Sequence, residues 1–182
     1  MVSQFLSTHD VRLLGAIDFD FPEGTHAIGR LDKASEGLLL LTTDKKITRL
    51  LFLGEKPHQR VYHVQVKHIV SQETIKKLSN GVYISAPMGE KYLSTPCEVR
   101  QIDPPDYIDY PPRVLYENQH STWLEIVLAD GKYHQVRKMV ASVKHRCLRL
   151  VRKSIEDIDI VGMKAGEVRE VEKDWFYEKL KL

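Results

Sequence analysis

Apolar and polar residues repeat along this chain with two different periods, and these periods predict its main strands and helices. Residues 60–69 alternate with a period of two, which predicts a strand with Tyr62 on one face and His63 on the other. Residues 122–128 alternate in the same way. A helix over about residues 134–144 is predicted from an apolar stripe at helical spacing, formed by Val136, Met139, Val140 and Val143.

Residues at the ends of other segments predict two shorter helices. Asp44 and Ser71 are N-cap residue types, and they predict helices over residues 45–53 and 72–78. The apolar run Leu38–Leu41 predicts a fully buried strand. Shorter strands are predicted at residues 2–6, 26–28, 82–84, 97–102, 148–152, 155–160 and 168–171, followed by an amphipathic tail over residues 175–182.

The order of these elements predicts the fold class. Strands and helices interleave without a regular βαβ repeat, which is typical of an α+β fold with a mixed, mainly antiparallel sheet. Residues 81–122 are the least regular part of the chain, and the pairs Pro104-Pro105 and Pro111-Pro112 argue against a continuous helix there. We interpret that region as short strands and a substrate loop.

The composition indicates a cytoplasmic protein. No apolar run approaches the roughly 18 residues of a membrane span, and the N-terminus lacks a signal-peptide pattern.

Cys97 and Cys147 match no zinc or redox spacing, so we expect two reduced thiols and no metal. A chain of 182 residues corresponds to one domain, or to two packed halves that share a sheet.

Basic residues are concentrated in one segment. The net charge is only +2, yet residues 131–155 contain eight Lys or Arg residues and no Asp or Glu. Such a cationic segment on an otherwise acidic chain favours binding of a polyanion over a simple solvated helix face.

The chemistry available is limited to a few residue types. The sequence has no glycine-rich phosphate loop, no metal-ligand cluster and no Ser-His-Asp signature. His134 lies near the basic helix, but a single helical histidine is more often structural or exposed to solvent. Any catalysis is therefore expected to use carboxylate, tyrosine and arginine, without a cofactor.

Asp32 is the first candidate, because it follows Arg30 in a polar loop that precedes the leucine run. A carboxylate there can act as a nucleophile or a base, or it can simply pair with Arg30 to shape the loop. Tyr62 can be a core residue or can stack on a nucleobase. Arg137 can cover apolar surface with its stem or can pair with Asp32. Spacing alone leaves these alternatives open.

Two signatures resemble those of one enzyme family. Residues 29–44, with Gly-Arg-Leu-Asp at 29–32, resemble the first signature of the A-type pseudouridine synthases of the small ribosomal subunit. Residues 131–139 and 145–152 resemble the second signature, and Arg60-x-Tyr62 resembles the tyrosine motif, in which Arg60 replaces the usual Lys. Further similarities, including residues 2–5 and Pro111-Pro112, resemble the large-subunit synthases of the E type.

The resemblance implies a function and roles for residues. It implies a single catalytic domain over residues 1–182 with the α+β synthase fold and without a separate N-terminal RNA-binding module. It implies cofactor-free isomerisation of a uridine in 23S ribosomal RNA by a monomer, with Asp32 as the catalytic carboxylate, Tyr62 stacking on the base and Arg137 pairing with Asp32. The residues expected to bind RNA are Arg30, Arg60, Lys132, Lys138 and Arg149.

Two alternatives stay open beside this implied function. The substrate can be tRNA or 16S rRNA instead of 23S rRNA. The chain can also be a non-catalytic RNA-binding factor of ribosome assembly that keeps the fold.

Overall fold

A six-stranded sheet lies at the centre of the protein in a computed structural model, which describes residues 1–53, 56–86, 89–108 and 120–182. The α-helices are α1 (Lys45–Leu53), α2 (Gln72–Ser79), α3 (Gln135–Ser142) and α4 (Lys173–Leu180). The strands are β1 (His26–Ala27), β2 (Glu36–Gly37), β3 (Leu41–Thr42), β4 (Arg60–Lys67), β5 (Tyr83–Ser85), β6 (Lys91–Leu93), β7 (Glu98–Ile102), β8 (Ser121–Leu128), β9 (Cys147–Ile155) and β10 (Ile158–Asp159).

Strand β4 lies in the middle of this sheet and pairs with β8 on one edge and β9 on the other. In the part of the chain that the structure describes, all pairs in the sheet are antiparallel except one, in which β2 runs parallel to β9. Two further strand pairs, β1 with β3 and β5 with β6, lie outside it. The predicted α+β class with a mixed, mainly antiparallel sheet is therefore confirmed.

Two apolar clusters hold the helices. Val64 and Leu124 of the sheet pack with Leu78 of α2 and Met139 of α3, and all four are fully buried. In the second cluster, Ile28, Leu38 and Leu40 lie beside α1 and α4, and Leu180 is fully buried there. The loop between β1 and β2, which contains Asp32, is thus connected to the second cluster at both ends.

Helices α1 and α2 follow the prediction closely, because each has a local apolar stripe and an N-cap. Helix α1 has the predicted bounds, and the Asp44 Oδ1 accepts a hydrogen bond of 2.9 Å from the Lys46 amide. Ser71 caps α2 in the same way through the Thr74 amide, at 3.2 Å. In α3 the predicted stripe is confirmed, since Val136, Met139 and Val140 are all buried.

Several strand predictions are wrong. Leu38–Leu41 does not form one buried strand: Leu38 and Leu40 are buried, Leu39 and Leu41 are partly exposed, and only Leu41 belongs to a strand. Residues 2–6 and 168–171 form no strand, and β6 was not predicted. The predicted alternation of β4 is incomplete, because His63 and Gln65, which lie on the face predicted to be polar, are buried as well. Pro111-Pro112 lie outside the described residues.

Within the described residues, no helix is both long enough and apolar enough to cross a lipid bilayer.

Gly37 allows β2 to lie in close contact with the backbone of β9, because it has no Cβ. Its φ is +104°, and a Cβ added there would lie 2.4 Å from the Arg152 carbonyl oxygen and 2.7 Å from the Arg152 amide nitrogen. These are backbone atoms, so they cannot move aside as the end of a flexible side chain would. The parallel pairing that anchors the Asp32 loop therefore requires glycine at this position.

Substitution Gly37→Ala is expected to destabilise the fold more than Gly24→Ala. Gly24 also has a positive φ, of +80°, but an added Cβ would meet nothing within 4 Å. Gly24→Ala should therefore cost only the backbone term of about 1–2 kcal/mol. Gly37→Ala should add about 1–3 kcal/mol for the overpacked strand contact. Urea unfolding measures both values, and equal losses would contradict this account of Gly37.

Candidate active site

The Asp32 loop is held in place at three points. Leu31 donates its amide proton to Ser3 Oγ at 2.9 Å, and Ser3 Oγ donates back to the Leu31 carbonyl at 3.2 Å. The amide of Ser35 donates to the Asp32 carbonyl at 2.8 Å, which closes a tight turn. Beyond this turn, the pairing of β2 with β9 fixes the end of the loop. The position of Asp32 is therefore determined by contacts from distant parts of the chain.

The carboxylate of Asp32 is partly exposed and faces α3. Its side chain is 30% exposed, and Asp32 Oδ1 lies 3.4 Å from His134 Nε2. His134 immediately precedes α3 and has a left-handed backbone, with a φ of +55°. A positive φ is uncommon for a residue with a side chain and often marks a functional position. The backbone turn aims the imidazole at Asp32.

Arg152 is the buried cation next to this carboxylate. It is 5% exposed, its Nε donates to the Leu38 carbonyl at 2.8 Å and its Nη1 to the Arg30 carbonyl at 3.4 Å. Burial lowers the pKa of its guanidinium, and the neighbouring Tyr62 phenol and Asp32 carboxylate partly oppose that shift. Tyr62 and Arg152 are register partners on β4 and β9. Arg152 thus connects Tyr62 electrostatically with Asp32.

Arg137 reaches the Asp32 loop but not the Asp32 carboxylate. Its Nη2 donates to the Ala34 carbonyl at 2.5 Å and to Ser35 Oγ at 3.4 Å, and its Nη1 to Cys147 Sγ at 3.4 Å. The expected ion pair with Asp32 is therefore absent among the described contacts, because the guanidinium binds the loop backbone two residues further on. In its place, His134, which immediately precedes α3, has its Nε2 within 4 Å of the Asp32 carboxylate.

The residues expected to bind RNA fall into two groups. Arg30 and Lys132 are exposed, and Lys138 is partly exposed while its Nζ donates to the Ser85 carbonyl at 2.7 Å. Arg149 forms a two-point ion pair with Glu36, at 2.5 and 2.9 Å, so its charge is shared with that carboxylate.

Arg60 differs from the other residues predicted to bind RNA because it is buried, and its contact with RNA stays a prediction. Arg60 is only 6% exposed, and its Nη1 donates to the carbonyls of His58 and Ala129. Its guanidinium lies below the surface, between the backbone segments that precede β4 and follow β8.

Sequence reasoning assigned no role at the site to His134 or Arg152. For Arg152 a signal existed, since alternation along β9 places it on the same face as the buried Leu150. For His134 the helical pattern pointed away from the core, and a left-handed turn before α3 is not visible in the sequence.

A cavity of about 970 Å³ borders the loop, and its walls include Asp32, Glu36, Arg149 and Phe176. This volume lies within the range of small-molecule pockets and is large enough for a nucleotide. Across the described ranges, no three His, Cys, Asp or Glu residues are grouped as metal ligands would be. The chemistry that these residues offer is that of a carboxylate beside imidazole, phenol and guanidinium groups.

Comparison with known proteins assigns a family to this arrangement. Residues 16–142 match the family model described as RNA pseudouridylate synthase. The chain is 34% identical over 148 residues to "Ribosomal large subunit pseudouridine synthase E" of Vibrio parahaemolyticus, covering 81% of this chain and 60% of that protein. It is 33% identical over 160 residues to the protein of the same name from Xanthomonas axonopodis pv. citri, covering 86% of this chain and 81% of that protein.

A solved structure supports the fold. The chain matches one described as a crystal structure of pseudouridylate synthase, with a TM-score of 0.75, 23% identity, and coverage of 98% of this chain and 68% of that one. The family model covers most of the chain and includes the Asp32 loop, β4 and α3. We conclude that the chain belongs to the RNA pseudouridylate synthase family.

Proposed function

We propose that this chain converts a uridine of ribosomal RNA into pseudouridine, that its substrate is 23S rRNA, and that Asp32 is the catalytic carboxylate. The observation that carries this proposal is the position of Asp32, which is held on an anchored loop beside His134 and near the Tyr62–Arg152 pair. The names of the relatives from Vibrio parahaemolyticus and Xanthomonas axonopodis support an RNA of the large ribosomal subunit.

The reaction exchanges one bond to the ribose for another. The C1′–N1 bond breaks, the freed uracil turns, and a C1′–C5 bond forms, after which C5 loses its proton and N1 gains one. A carboxylate can start this exchange by attacking C1′ or by removing a proton from the ribose. Asp32 suits both routes, because its side chain is 30% exposed and borders the cavity.

Tyr62 and Arg137 have different proposed roles. Tyr62 is partly buried, and its phenol lies next to the Arg152 guanidinium. Its ring can therefore stack on the target base while Arg152 orients its hydroxyl. Arg137 is a positioning residue, since its hydrogen bonds go to Ala34 and Ser35 and so fix the loop that carries Asp32.

The target uridine must leave any helix to reach this site. A base within a duplex is covered by its neighbours, so enzymes that act on bases use single-stranded RNA or turn the nucleotide out. The exposed Arg30 and Lys132 lie in the Asp32 loop and just before α3, where they can hold the phosphates on either side of it.

Substitution Asp32→Asn is expected to abolish pseudouridine formation while RNA binding stays within about threefold of the wild-type value. The amide keeps the size of the side chain but cannot attack C1′ or remove a proton. Pseudouridine is measured by mass spectrometry of nucleosides from 23S rRNA incubated with the purified protein, and binding by filter retention.

The matched control is Asp10→Asn, which makes the same chemical change at an exposed residue. It should leave turnover unchanged. Equal turnover by the Asp32→Asn and Asp10→Asn variants would remove Asp32 from the mechanism.

Substitution Arg137→Lys is expected to lower kcat by about ten- to a hundredfold while RNA affinity changes little. An ammonium group cannot reproduce the forked contacts with Ala34 and Ser35, and small displacements of a catalytic group are costly. Arg146→Lys, at an exposed position near the end of α3, is the control and should behave as wild type. A loss confined to RNA affinity would make Arg137 an RNA contact instead.

Mapping of pseudouridines in a strain that lacks the gene tests the substrate. We expect one site to be lost from 23S rRNA and restored by the wild-type gene but not by Asp32→Asn. A site lost only from 16S rRNA or tRNA would reassign the substrate. Unchanged pseudouridines together with defective ribosome assembly would favour a non-catalytic RNA-binding factor.

A further inference from the structure

Tyr133 is an exposed aromatic residue at the edge of the candidate active site. Its side chain is 68% exposed, and its ring stacks on the imidazole of His134 with a centroid distance of 3.9 Å and an interplanar angle of 17°. His134 in turn contacts Asp32. The exposed ring is therefore separated from the Asp32 carboxylate by a single side chain.

The backbone fixes this pair of rings. His134 has a φ of +55°, and α3 begins at the next residue, so the two rings project from a turn whose conformation is set by the helix. A strained turn of this kind persists only where its surroundings hold it. The turn thus places the two rings next to each other, and the stacked imidazole restricts the Tyr133 ring.

Cations lie beside the exposed ring. Lys138 Nζ is 5.3 Å from the centroid of Tyr133, and its hydrogen bond to the Ser85 carbonyl holds it there. Lys132, the preceding residue, is exposed and places its Nζ 3.9 Å from the centroid of the Tyr92 ring. An exposed aromatic ring with one lysine against it and a second lysine next to it in the chain is a combination that binds single-stranded nucleic acid through its bases and its phosphates.

Exposure alone does not distinguish this residue. Tyr83 on β5 is equally exposed, at 67%, but it lies outside the contacts that connect Tyr133 with Asp32. What distinguishes Tyr133 is the stacked imidazole behind it, the carboxylate behind that imidazole and the adjacent lysines.

We propose that Tyr133 is a stacking platform for a base next to the target uridine in single-stranded RNA. The His134 ring lies between Tyr133 and Asp32, so a base on Tyr133 belongs to a neighbouring nucleotide and not to the one at Asp32. The location relative to the target rests on the proposed function, whereas the stacking itself can be measured without turnover. The platform selects RNA whose neighbouring base is unpaired.

The experiment compares two RNA probes of equal charge. One is hexauridine, and the other is a hexamer of abasic riboses that keeps the phosphates and lacks the bases. Binding of both is measured with the complete chain carrying Tyr133→Leu, Tyr133→Phe or, as the matched control, Tyr83→Leu. Stacking of one base corresponds to a loss on the order of tenfold when the ring is removed.

The expected result is a loss of about tenfold in hexauridine affinity for Tyr133→Leu, with no change for Tyr133→Phe or Tyr83→Leu. Affinity for the abasic hexamer should be the same in all variants. Lys132→Ala should weaken binding of both probes, because it removes a phosphate contact.

Three outcomes would overturn the platform: no binding of hexauridine by the wild-type chain, equal losses for Tyr133→Leu and Tyr83→Leu, or a loss of turnover in Tyr133→Leu without a loss of binding. The last outcome would mean that Tyr133 acts only through His134. The proposed function is tested by a separate measurement. It would fail if rRNA incubated with the wild-type protein contained no pseudouridine, whatever the binding results.

Discussion

A buried guanidinium is the constraint on which the centre of this structure depends. Moving such a cation out of water costs several kcal/mol unless its donors find partners. Arg152 Nε and Nη1 find them in the carbonyls of Leu38 and Arg30, and the nearby Tyr62 and Asp32 favour its charge, although its Nη2 has no hydrogen-bond partner among the described residues. Arg30 precedes Asp32 in its loop and Leu38 follows that loop, so the guanidinium that lies next to the Asp32 carboxylate also holds the backbone on both sides of Asp32. Arg152 therefore contributes both to the stability of the fold and to the geometry of the candidate site.

Local patterns predicted the elements whose stability is local. Helix α1 and helix α2 each have a cap and an apolar stripe within a few residues, and both appear as predicted. The leucine run failed because its conformation depends on β9, more than a hundred residues away, through the pairing of Gly37 with Arg152. A period of two or of 3.6 residues contains no information about such a partner. The same reason explains the unexpected burial of His63 and Gln65 on β4.

The candidate site was predicted in part. The resemblance identified Asp32, Tyr62 and Arg137, and the fold brings their elements together, but the sequence did not indicate which side chain would face which. Arg137 binds the loop backbone, and His134 faces the carboxylate. Arg60 and Arg152 both lie in strands, and both are buried, although a charge count treats every arginine as surface. The direction in which a side chain points and the depth at which it is buried depend on the assembled sheet. Sequence motifs do not contain this information.

The depth of Arg152 has a consequence for ionic strength. Mobile ions screen charges that are in contact with solvent within about a nanometre at physiological salt, and they screen buried charges far less. Lys132 and Arg30 are exposed, whereas Arg152 is 5% exposed. Added salt should therefore weaken the attraction of Arg30 and Lys132 for a polyanion, while the contribution of Arg152 to the field at Asp32 stays nearly unchanged. In the proposed function, salt would then weaken the binding of RNA more than it alters the contribution of Arg152 to the charge environment of Asp32.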